Sequence, residues 1–245
     1  MRRTSFLITG TDTGVGKTTV ACAIAAAFYE RGVRVGVAKP FETGCDPGPD
    51  GLLVAADAVQ LQYFSGCPEP IETICPYRFR DSLAPSAAAR REGRIIDLAV
   101  VARTIGELTG RYEMTLIEGA GGLLVPVVGQ TTFADLAREW SVPLIIVVGN
   151  RLGALNHAQL TIHCARGLGL SVAGYVVNAL SPKPDHAAAT NVEMLAELLG
   201  PPLGVFPWVG TIARTPADRA CLAEVAEHAL DLSALTGASG TSRED

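Results

Sequence analysis

The chain has 245 residues, a formal charge of −5 and 48% apolar residues, which excludes a disordered or collagen-like polymer and argues against nucleic acid as the main partner. The length suits one α/β domain with a sizeable core, and no apolar run reaches the roughly 18 residues that a membrane span needs. Six cysteines without CxxC or paired Cys/His spacing read as free thiols in a reducing, cytoplasmic compartment, and no zinc site is expected.

The opening MRRTSFLITG runs straight into a glycine-rich loop and reads as a strand, not a secretory signal. Along the chain, short β-rich bursts alternate with longer amphipathic stretches. The predicted strands are Ser5–Thr9, Val33–Ala38, Met114–Ile117, Leu144–Val148, Val172–Val177 and Leu203–Phe206. The predicted helices are Thr18–Glu30, Leu52–Phe64, Ile96–Thr109, Phe133–Trp140, Asn156–Leu168, Asn191–Leu199 and Pro216–Leu232. Gly32, Gly110, Gly167 and Gly200 fall at expected helix C-caps, and Pro216 at a first helical turn. Strands apolar on both faces, alternating with helices, imply an α/β fold with a parallel sheet covered on both sides. Residues 1–235 are expected to form a single domain, and 236–245 a flexible tail. Ligands of such folds bind at the C-terminal strand ends, so the loops after strands carry the chemistry.

After the first strand comes Gly10-Thr11-Asp12-Thr13-Gly14-Val15-Gly16-Lys17-Thr18, then Thr19 and a helix. Strand, glycine-rich loop, Gly-Lys-Thr and helix together define a P-loop, although five residues, not four, separate Gly10 from Gly16. Backbone N–H groups from Gly14 to Thr19 would converge on phosphate oxygens, Lys17 would reach the β- and γ-phosphates, and the Thr18 hydroxyl would bind Mg²⁺. Partition-type ATPases carry a second lysine early in this loop. Asp12 stands there instead, which argues against a nucleotide-switched binding protein.

The second strand ends in Lys39-Pro40-Phe41-Glu42-Thr43-Gly44. Lys39 at that strand end would hold an anion against the γ-phosphate, with Thr43 bonding the same acceptor. Asp57, on the next helix, is either a solvated side chain or a magnesium-side ligand. The apolar strand MTLI ends in Glu118-Gly119-Ala120-Gly121, an acidic magnesium motif followed by glycines that let a ligand approach the backbone.

With GTDTGVGKT, KPFETG and IEGAGG in that order, the chain resembles the dethiobiotin synthetase family of P-loop enzymes. The resemblance continues through VGNRLGALNH, Val177-Asn178 and Phe206-Pro207-Trp208, to about residue 230. It implies that 7,8-diaminononanoate, CO₂ and ATP, with Mg²⁺ as cofactor, give dethiobiotin, ADP and phosphate through a carbamate and a carbamic–phosphoric anhydride. By the same resemblance, Lys17 and Lys39 are catalytic, Thr13 and Thr43 position substrate, and Thr18, Asp57 and Glu118 hold the metal. Asn178 reads adenine beside the backbone of Pro207, Trp208 and Val209. The amides of Gly153, Ala154, Leu155 and Asn156 bind the distal carboxylate of a substrate shared with a partner subunit, which implies a homodimer without nucleic-acid or membrane partners. Two alternatives are a corrinoid-type carboxylate-activating enzyme, which would need a nitrogen donor, and the partition-type switch. The chain departs from the family pattern at Gly14, where glutamate is frequent, and at Ala179 after Asn178. Ser181–Ala189 does not align, so no partner-subunit side chain closing over the substrate is assigned there.

Overall fold

Six apolar segments pair into one parallel sheet because each can bury side chains on both faces. The computed structural model describes residues 3–183 and 185–236. From the first strand to the fifth, the elements are β1 (Thr4–Gly10), α1 (Lys17–Glu30), β2 (Val35–Ala38), β3 (Phe41–Thr43), α2 (Ala56–Ser65), α3 (Ile71–Ile74), β4 (Tyr77–Phe79), α4 (Pro85–Arg91), α5 (Leu98–Arg111) and β5 (Met114–Gly122). Then follow β6 (Pro126–Val128), β7 (Thr131–Thr132), α6 (Phe133–Glu139), β8 (Leu144–Asn150), α7 (Ala154–Gly167), β9 (Val172–Ala179), α8 (Ala188–Leu199), β10 (Gly204–Phe206), α9 (Pro216–Ala229) and a 3₁₀ turn (Leu232–Leu235). The main sheet runs β10-β9-β8-β1-β5-β2, parallel throughout, so the segments that carry the candidate motifs leave from one edge.

Central strands β1 and β8 are fully buried through Phe6-Leu7-Ile8 and Leu144–Val148. Removing each such Leu, Ile, Val or Phe side chain from water contributes about 1.5–3 kcal/mol. Helix α1 is buried from Val20 to Phe28; its run of alanines lets α2 and α9 pack closely against it. That packing holds the start of α1, and hence the P-loop, against the sheet edge.

All six predicted strands and seven predicted helices form, with some boundaries moved. Helix α2 starts at Ala56, not at Leu52, because Leu53 pairs with Pro47 in an antiparallel bridge and the Glu42 carboxylate caps the helix from outside. Helix α8 starts three residues before Asn191. Gly110 lies inside α5, and Gly167 is the last residue of α7, whereas Gly32 and Gly200 do follow α1 and α8. Pro216 occupies the first turn of α9 behind the Thr215 cap, which accepts from Asp218 N. The small sheets β3–β4 and β6–β7, with α3 and α4, lie in stretches where no element was predicted. Of the predicted tail, Thr236 follows the 3₁₀ turn and the remainder lies outside the described residues. No helix among the described residues is long and apolar enough to cross a membrane. The six cysteines are unpaired, four of them buried.

Candidate active site

The P-loop leaves β1 with Thr11 N donating to Val147 O of the neighbouring strand. Gly14 and Gly16 take left-handed backbone angles, φ 73° and 86°, which side-chain-bearing residues adopt only at a cost. No side chain caps α1, so its first amides stay available to an anion, as a phosphate cradle requires. Lys17 arcs back over the loop, its Nζ donating to Asp12 O at 3.1 Å. Burial lowers its pKa from the ordinary lysine value, with Glu118 pulling the other way. Asp12 braces the loop twice: Oδ1 accepts from Thr13 N, and Oδ2 pairs at 2.7 Å with Arg151 from the loop before α7.

Lys39, 4% exposed at the end of β2, forms the centre of the site. Its Nζ donates to Glu118 Oε1 at 2.5 Å and meets Asp57 Oδ2 at 2.7 Å. Burial opposes its charge, but the two carboxylates more than offset that and hold the ammonium well above the ordinary lysine range. Thr18 Oγ1 donates to the same Glu118 oxygen at 2.9 Å. Asp57 therefore faces the site from the start of α2.

Glu118 is 1% exposed and its Oε2 is buried with no partner among the described residues. A buried carboxylate oxygen of this kind is stable only if a donor or a cation meets it. Among the described residues no group of three His, Cys, Asp or Glu side chains could hold a metal. A divalent ion here would use two carboxylates, the Thr18 hydroxyl and oxygens of the nucleotide, an all-oxygen set suited to Mg²⁺. Thr18, Glu118 and Asp57 fit that requirement.

A cavity of about 500 Å³ opens over these groups. It brings together Thr13, Gly14, Gly16, Lys17, Thr18, Thr19, Lys39, Thr43, Asp57, Glu118, Gly119, Ala120 and Gly121 from the sequence reading. It also takes in Glu42, Gln60 and the Gly210–Ile212 stretch, which the sequence reading passed over. Glu42 is 5% exposed; its oxygens accept from Asp57 N at 2.9 Å and Ala58 N at 3.0 Å, so it fixes the turn that presents Asp57. Burial, with Asp57 adding to it and Lys39 opposing, pushes the Glu42 carboxyl up to about 7. Its place between Lys39 and Thr43 in KPFETG was the available signal.

Other predicted residues do not line this cavity. Val15 is buried against Gly10 and Gly149. Asn178 is 4% exposed and donates to Val15 O at 2.9 Å. Pro207, Trp208 and Val209 follow β10, with the half-exposed Trp208 ring folded over Gly210. Gly153, Ala154, Leu155 and Asn156 open α7, whose start has no side-chain cap and whose entry loop is clamped by Asp185 on Leu152 N and Asn191 on Arg151 O.

The AAA domain family matches residues 4–216. Three relatives are each named ATP-dependent dethiobiotin synthetase. The Anaeromyxobacter sp. (strain K) protein is 42% identical, covering 84% of this chain and 91% of its own. That of Bacillus cereus (strain G9842) is 41% identical, covering 83% of each. The Salmonella typhi protein is 38% identical, covering 84% of this chain and 90% of its own. Among solved structures, chloroplast FtsY from Physcomitrella patens aligns with 92% of this chain and 65% of its own at 19% identity and a TM-score of 0.49.

Proposed function

The chain belongs to the ATP-dependent dethiobiotin synthetase family, and from that premise we propose that it closes the ureido ring of dethiobiotin from 7,8-diaminononanoate, CO₂ and ATP. It is an ATP-dependent ligase with a P-loop nucleotide site. The observation that carries the finer reading is the Lys39 ammonium, buried and protonated beside the P-loop cavity, where an anionic phosphoryl acceptor would otherwise be repelled by ATP.

In this reading one substrate amine adds to CO₂ and releases a proton, giving a carbamate that Lys39 holds, with Thr13 and Thr43 bonding the substrate. The carbamate oxygen attacks the γ-phosphorus; the bond to ADP breaks, and Lys17 follows the charge on the transferring group. The second amine attacks the carbonyl of the resulting carbamic–phosphoric anhydride, loses its proton, and phosphate departs as the ring closes. Thr18, Asp57 and Glu118 would hold Mg²⁺, which when bound neutralises phosphate charge. Asn178 and the Pro207–Val209 backbone would receive the base.

We place the distal carboxylate of the substrate at the uncapped α7 start of a second subunit, Gly153 to Asn156. Leu152 and Leu160, 81% and 62% exposed on the same segment, support a partner face there and thus a homodimer. The enzyme would work in the cytoplasm on small molecules, without nucleic acid or membrane. Phosphate release with bicarbonate and MgATP, with and without the diamine, tests the activity. The proposal expects diamine-dependent release and an organic product that has gained one carbonyl group; release indifferent to the diamine would refute it.

A further inference from the structure

Asn178 lies at the C-terminal end of β9, in register with Gly149 of β8 and Phe206 of β10. Its Nδ2 donates to Val15 O, joining the end of β9 to a loop 163 residues earlier. The same nitrogen would be only 2.1 Å from a Cβ on Gly16, so the approach is possible because residue 16 is glycine. Within one trans peptide the C=O and N–H groups point in opposite directions. Tethering Val15 O to Asn178 therefore turns the Gly16 N–H away from β9. Gly16 lines the cavity and precedes the uncapped amides of α1.

We infer that Asn178 is a positioning residue of the phosphate loop: it holds the Val15–Gly16 peptide so that the amides at the start of α1 converge on phosphate, whatever base the nucleotide carries. The inference rests on the nucleotide-site reading above. One N–H and Oδ1 of the amide remain for a base, so base and phosphate recognition meet in one side chain.

Titration calorimetry with MgATP and with magnesium tripolyphosphate, which has no base, separates the two duties. Asn178→Ala is expected to weaken tripolyphosphate about tenfold for one lost hydrogen bond, and MgATP by at least that factor because the base contact goes with it. Asn178→Asp keeps the shape but sets an oxygen against Val15 O, and is expected to weaken both at least as much. Melting temperatures identify any variant that fails to fold, and either Asn178 variant alone can decide. Unchanged tripolyphosphate binding in a folded Asn178 variant would confine the residue to the base and overturn the inference. Wild-type-like binding by Asn178→Asp would leave it a space-filling role and also overturn it. Failure of the wild type to bind tripolyphosphate, or indifference of that binding to Lys17→Ala, would remove the nucleotide-site reading and this inference with it.

Discussion

Lys39 illustrates how a single side chain ties stability to chemistry. Its ammonium neutralises Glu118, which is 1% exposed, and the more exposed Asp57. Removing it as Lys39→Ala strands a buried carboxylate, a change that typically costs about 3–5 kcal/mol. The variant is expected to melt at a lower temperature, to recover part of the loss with MgADP, and to bind MgATP without closing the ring. Parental turnover by that variant would contradict the carbamate role. Lys17→Ala is expected to lose about 10²-fold or more in turnover, measured under saturating substrates, because it removes a charge matched to the transferring phosphoryl group. Glu42 adds a pH dependence. Its carboxyl holds a proton up to about pH 7 in the fold, against an ordinary 4.5, so folding takes up a proton between those values. Stability from this residue is therefore fullest below about 4.5 and declines as pH rises through 7. Denaturant melts across that window should show the decline in the parent and a flatter profile in Glu42→Gln.

The elements that were legible in the sequence are those with a local signal. Strands such as LIIVV and helices such as VACAIAAAF announce themselves by apolar run and period. The start of α2 did not, because Leu52, Leu53 and Val54 extend the apolar pattern beyond the helix. The true boundary is fixed by Glu42, whose bond to Asp57 N spans 15 residues. Strands β3, β4, β6 and β7 have three residues or fewer and thus no period to read. The same division holds in the site. Lys17, Thr18, Lys39 and Glu118 were readable because each directly follows an apolar run or opens a helix, whereas the Asp12–Arg151 and Asn178–Val15 links join distant segments. At this scale Gly16→Ala is a sharp probe. It combines a left-handed φ of 86° with a Cβ that Asn178 would have to vacate. The substitution should lower stability by at least about 1 kcal/mol in thermal melts and weaken nucleotide binding with it.

For the molecule as a whole, the parallel sheet explains why residues from the start, middle and end of the chain reach one cavity. Strands β2, β1, β5 and β10 all end on the same edge; the segments after the first two and the end of β5 bring two lysines and three carboxylates together, and the stretch after β10 adds Gly210–Ile212. Helices α1, α2 and α9 buttress the phosphate-side loops, while α7, packed on α8 and β8, presents its uncapped start for the proposed partner subunit. That arrangement suits a reaction that must hold two anions, ATP and a carbamate, within bonding distance. The most direct measurement is therefore the fate of a carbon dioxide oxygen. In a single turnover with ¹⁸O-labelled bicarbonate, unlabelled ATP and the diamine, a carbamate oxygen attacking the γ-phosphorus must leave in the phosphate. The account predicts labelled phosphate alongside the ring-closed product; ring closure that releases only unlabelled phosphate would contradict it.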